Sequence, residues 1–120
     1  MSTIKANLVQ STTGGATTLT NLYPARAWVN FNGTGTVSIR ADGNVSSITD
    51  NGVGNYAVNY SSSFSDANCC GVGGIGSYEA YADDMRYNSS SPMTTASVVF
   101  QFSAAGTIRD GSQAHFSAIR

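Results

Sequence analysis

The sequence predicts an all-β chain: a single β-sandwich or jelly-roll-like domain of about eight to nine short antiparallel strands with an extended N-terminal arm. Three observations predict it. Charged residues make up 11% of the 120 residues, well under the ordinary quarter or so, and Glu and Lys, which favour surface helices, are scarce. Tyr, β-branched residues and 13 glycines are plentiful, and they suit strands and turns. Apolar residues also alternate with polar ones in short runs divided by Gly, Asn and Asp, the pattern of half-buried strands.

In chain order, residues 2–10 (STIKANLVQ) have strand character, with Ile4, Ala6 and Leu8 on one parity. A polar, Gly-containing stretch follows at residues 11–18, then a short apolar run closed by Pro24, so residues 1–20 read as an arm and linker and residues 21–120 as the sandwich. Residues 27–60 form the centre. Val29 and Phe31 share one face, while the only Trp, Trp28, shares the other with Asn30 and Asn32. Gly33-Thr34-Gly35 and Asp42-Gly43-Asn44 read as turns around a strand at residues 37–40. Strands at residues 45–48 and 56–60 flank Asp50-Asn51-Gly52 and Gly54, residue types that tolerate positive φ. Residues 67–72 predict another strand, and Gly71, Gly73, Gly74 and Gly76 then read as a turn or a place of close backbone packing. A short strand with a loop is expected within residues 78–87 and a polar loop over residues 88–92. Residues 96–103 predict a strand with Val98, Phe100 and Phe102 on one face, Asp110-Gly111 a turn, and residues 114–120 a last alternating strand.

Certain runs are specific in their wording: Arg26 to Val37 (RAWVNFNGTGTV), Asn44 to Gly54 (NVSSITDNGVG), and Tyr56 with Asp66-Ala67-Asn68. Over residues 26–68 they resemble a module that recurs in phage and prophage tail-fibre proteins. The resemblance implies a β-rich virion module, oligomeric and commonly trimeric, often near a receptor-binding tip, and it carries no enzymatic site. After Asn68 that module usually has an aromatic residue, where this chain has Cys69-Cys70.

Composition narrows the chemistry. Net charge is −1 with the basic residues scattered, so there is no basic stripe and nucleic-acid binding is not expected. No apolar run is long enough to span a membrane. The first ten residues lack a signal-peptide layout, so the expectation is assembly in a cytoplasm or a leader removed before this numbering, with Met1 favouring the first. No cofactor is implied, no catalytic set stands out, and the single histidine, His115, with one adjacent cysteine pair makes no metal site. Cys69 and Cys70 read as small, partly buried hydrophobes or as an intermolecular disulfide. Four N-x-[ST] sequons, at Asn32, Asn44, Asn59 and Asn88, mark possible glycosylation, which requires a secretory route.

The leading expectation is a virion structural and adhesion module that assembles with copies of itself, or with a larger virion protein, and presents loops to a surface receptor. The arm Ile4, Lys5, Ala6, Asn7, Leu8, Val9 and Gln10 supplies a strand for a neighbouring subunit, giving a homotrimer. A second reading makes the chain a subunit of an extracellular filament or capsid decoration, joined head to tail by the same arm. A third is a small module for cell-surface glycan, using Tyr78, Tyr81 and Tyr87 beside Asp83 and Asp84, since Tyr offers both area and a polar tip.

Overall fold

The computed structural model describes residues 25–76, 83–87 and 93–120. The predicted arm and linker, and the polar loop at residues 88–92, lie outside the described residues. The chain folds as an all-β sandwich. Its strands are β1 (Ala25–Asn32), β2 (Ser38–Gly43), β3 (Val45–Asp50), β4 (Asn55–Tyr60), β5 (Cys70–Gly76), β6 (Asp83–Tyr87), β7 (Ser97–Ala104), β8 (Thr107–Ile108) and β9 (Gln113–Ile119). The first sheet runs β2-β1-β9-β5 and the second β3-β4-β7-β6, with β8 pairing β7. Every pairing is antiparallel.

Alternation decides which side chains meet. Ala27, Val29 and Phe31 of β1 lie opposite Ala118, Phe116 and Ala114 of β9 and are buried with them. In the second sheet Tyr56 and Val58 of β4 lie opposite Phe100 and Val98 of β7. These two inner faces make the core. Two aromatic contacts bridge the sheets: Phe116 stacks on Phe100 at 5.2 Å, and Phe31 meets Tyr56 edge-on at 5.1 Å, geometries that add to plain area burial.

Two local expectations are corrected. The turn read at Asp42-Gly43-Asn44 is confined to Asn44, because Asp42 and Gly43 still belong to β2. It is a corner at which the chain leaves the first sheet and enters the second, because β2 and β3 pair with β1 and β4 and not with each other. Asn44 takes φ 57° there, a conformation Asn tolerates. Its side-chain amide donates to the carbonyls of Arg26 and Ser62, both at 3.1 Å, and its Oδ1 accepts from the Ser62 N–H at 2.7 Å. The Gly-rich run, in turn, continues β5 where a turn was one expectation; the close-packing alternative applies. A Cβ on Gly71 would stand 2.8 Å from the Phe116 ring, and one on Gly73 would stand 2.7 Å from Met85 Sδ. Glycine lets this strand lie against its neighbours' side chains.

Phe100 is fully buried at the centre of the aromatic cluster. Phe100→Ala should therefore lower unfolding free energy by about 3–5 kcal/mol, read as a fall in the urea midpoint. Loss under 1 kcal/mol (roughly the scale of a surface change) would contradict this packing.

Candidate functional site

At one end of the sandwich three connections meet: the β1–β2 loop, the β3–β4 turn and the segment from β8 to β9. What joins them is one buried hydroxyl. Tyr56, 0% exposed, places its OH 2.5 Å from Asp110 Oδ1 and 2.9 Å from the Gly33 carbonyl. A phenol has one proton, and the shorter, charge-assisted contact is the one to the carboxylate. The same Oδ1 accepts the Gly54 N–H at 2.7 Å. The Gly33 N–H donates to the Gly111 carbonyl at 2.9 Å, and the Gly54 carbonyl accepts from the Phe102 N–H at 2.8 Å. Gly54 holds φ +63° with Ile108 and the Arg109 backbone against its α-carbon, so glycine is required there. The resulting end carries two large exposed apolar residues, Val53 at 63% and Ile108 at 44%.

A second surface runs from this end along the outside of the first sheet. Trp28, 43% exposed, stands opposite Gly43. A side chain at Gly43 would collide with the indole, which lies across that bare position. One rung nearer the loop end, Asn30 stands opposite Ala41 on one side and His115 on the other. The register slips between Asn30 and Phe31, which leaves Arg40 as the extra residue of a bulge. Its Nη1 is 3.4 Å from Asn30 Oδ1, and its Nη2 donates to the Ser112 carbonyl at 2.5 Å.

The sequence-predicted residues distribute as follows. Tyr78 and Tyr81 lie outside the described residues, as do the arm residues and Asn88. Asp83 opens β6. Asp84 and Tyr87 do not converge. Asp84 pairs with Arg86 on one side of β6 at 2.6 Å, whereas Tyr87 reaches across to the first sheet and donates to the Gly71 carbonyl at 3.1 Å. Cys69 is half-buried against the core, where burial pushes its thiol pKa up, and Cys70 is exposed; both are free. The amide nitrogen of the Asn44 sequon is taken up by the corner, and that of Asn59 donates to Ser47 Oγ and Thr49 Oγ1, both at 3.0 Å. Asn32 closes the turn by accepting from Thr34 Oγ1 at 2.7 Å. Among the described residues no group of three metal-ligating side chains forms, and no helix there is long and apolar enough to cross a membrane.

Asp66-Ala67-Asn68 is a small fixed element. The Asn68 N–H donates to Asp66 Oδ1 at 2.8 Å, and Arg120 pairs with the same carboxylate. The backbone hydrogen bond first and Arg120 second hold the Asp66 carboxyl below its usual range.

Sequence reasoning passed over Tyr56 and Asp110 as a site, treating one as a strand residue and the other as a turn residue. Their meeting is a matter of topology, since 54 positions separate them. No family model, curated protein or solved structure matches the chain.

Burial, then the hydrogen bond to Asp110, raises the Tyr56 pKa, and burial also raises that of Tyr60. The folded chain thus holds these protons more tightly than the unfolded chain does. That contribution is complete below the unfolded value of about 10 and is lost as pH climbs from there toward the higher folded values. Stability should fall progressively above pH 10 or so, and Tyr56→Phe should flatten part of the fall. At neutral pH Tyr56→Phe should cost about 1–3 kcal/mol, because the Asp110 carboxylate loses its phenol donor. Urea titrations of both proteins at pH 7, 9 and 10.5 (values bracketing the phenol range) check this, and coincident pH profiles would refute it.

Proposed function

We propose that the chain is a non-enzymatic structural and adhesion module of a virion that assembles with copies of itself through strand pairing and presents its loop end to a cell-surface receptor. The observation that carries this reading is the loop end itself. Three connections are tied to the buried Tyr56 hydroxyl and the exposed Asp110 carboxylate that meets it, and Val53 and Ile108 stand exposed on the result. A contact surface whose backbone is ordered before binding avoids much of the entropic loss that binding otherwise incurs. The segments resembling tail-fibre proteins support the reading further, because Gly33, Gly54 and Tyr56 all fall within them.

Assembly has support in the sheet edges. β2 ends the first sheet and β3 the second; among the described residues no strand pairs on their outer sides. Such edges are templates for an added strand, and the segment Ile4 to Gln10 has the alternation to serve as one. Closed exchange among three copies gives a compact particle, and open exchange gives a filament.

Two measurements test this. Mass photometry of the purified protein should show three-copy particles or longer polymers, and deletion of residues 2–10 should leave folded monomers. A monomeric parent protein, or a deletion that leaves assembly intact, removes the strand-donation reading. For adhesion, fluorescently labelled protein is applied to a panel of intact bacteria. Val53→Asp with Ile108→Asp should reduce cell-bound signal about tenfold or more, as expected for apolar anchors. No labelled strain, or unchanged labelling by the folded variant, would count against a receptor-binding loop end.

A further inference from the structure

We propose that the outer face of the first sheet, around Trp28 and Arg40, is a binding site for an acidic saccharide. The inference goes beyond the loop-end reading and is independent of it, since either surface can bind without the other.

Two rings on this face lie across positions that have no side chain. The Trp28 indole lies across Gly43 of β2. His115 of β9 stands opposite Gly74 of β5, where a Cβ would come 3.3 Å from His115 Cε1 and Nε2. Trp28 and His115 sit on neighbouring central strands, one rung offset, because Trp28 is opposite Ser117 and Asn30 is opposite His115. The glycines keep the sheet low beside each ring, so the two rings stand clear of their cross-strand neighbours as a platform, bordered by Val72 of β5, 53% exposed and opposite Ser117. Such a platform suits the C–H face of a pyranose, which has no bulk to insert into a groove and needs area and polar neighbours. Asn30, Ser117 and His115 supply donors and acceptors for ring hydroxyls.

Charge specifies the acid. A guanidinium has five N–H groups, and the two contacts Arg40 makes are to neutral oxygens, Asn30 Oδ1 and the Ser112 carbonyl. The ion pairs among the described residues are Arg86 with Asp84 and Arg120 with Asp66, both elsewhere. The outward positions of β1, β2, β5 and β9 include no Asp or Glu. Arg40 is therefore positioned by its neighbours without an ion pair among the described residues, and its bidentate fork fits a carboxylate. Asn30 lies two strand positions from Trp28, about 7 Å, so a sugar resting on the indole reaches the guanidinium with a carboxylate on the same or the adjoining residue. Nucleic acid would need a run of cationic side chains along the face; the strand positions here supply Arg40 beside Asn30 and the half-buried Arg26 beyond Trp28, which make no such run.

Trp28 is the chain's only Trp, so intrinsic emission reports on this site directly. The full-length protein is titrated with trigalacturonic acid and 3′-sialyllactose, with lactose as the neutral control. The expected result is a saturable emission change with at least one acidic probe, weakened by salt because part of the attraction is ionic. Calorimetry with the same probe should show Arg40→Gln binding about tenfold more weakly and Trp28→Ala not binding. Gly43→Ala, which touches no ligand, should displace the indole and lower affinity while leaving Arg40 in place. Thermal melts establish that each variant is folded, and Trp28→Phe, which keeps a ring, should retain part of the affinity. Absence of saturation with both acidic probes to about 10 mM, beyond the weak-binding range, would overturn the proposal. So would an equal response to lactose, or affinity unmoved by Arg40→Gln and Trp28→Ala. Failure here with intact cell labelling would leave the loop-end reading standing, and the reverse result would separate them the other way.

Discussion

One hydroxyl-to-carboxylate contact organises one end of this sandwich. Tyr56 belongs to β4 in the second sheet, and Asp110 to the connection that enters β9 in the first. Burying the phenol is favourable for its ring, which packs on Phe31, Phe100 and Phe102. The hydroxyl, however, must find a partner when it leaves water. Asp110 and the Gly33 carbonyl provide it. Because Asp110 also accepts from Gly54, satisfying one buried polar atom fixes the course of three loops at once. The geometry of the exposed side chains beyond, Val53 and Ile108, follows from a requirement of the core.

The opposite face obeys a related rule in which side chains yield to backbone. Gly71 and Gly73 on the inner side of β5 let Phe116 and Met85 come close, while Gly74 on its outer side leaves room for His115. One strand therefore serves both a packed interior and the outer surface beside His115. Tyr87 fastens this margin by donating from β6 to β5 across the gap between sheets. The apolar core alone does not dictate where the outer rings lie. Their placement follows from where glycine occurs relative to Trp28 and His115.

Much of the frame was legible because its cause is local. The alternation through Val29 and Phe31, and through Val98, Phe100 and Phe102, states which faces are buried, and burial follows that parity. The all-β class, the strand number and the loop at Gly33 to Gly35 could be read in the same way. Asp42-Gly43-Asn44 was readable as a turn but not as a passage between sheets, because a turn within one sheet and a sheet-to-sheet corner use the same residue types; only the pairing partners of β2 and β3 distinguish them. The glycines of β5 allowed two readings, since a missing side chain means a turn or a close neighbour and the neighbour is distant in sequence. The Tyr56–Asp110 contact had no local signal at all. For Trp28 a signal was present: the residue shares parity with Asn30 and Asn32, the polar side of its strand, and an aromatic residue on that side is left to solvent or to a ligand.

The corner at Asn44 has a mechanical meaning. β2 and β3 follow one another with a single residue between them, so the two layers are joined there by taut covalent backbone with no slack loop. The corner is stitched by the amide of Asn44 to Arg26 and Ser62, and by the Ser61 N–H to the Asn44 carbonyl. A tensile load applied along β1 and β2 passes straight into β3 and β4. The far margin has no such covalent link among the described residues, and there Tyr87 donates across from β6 to β5.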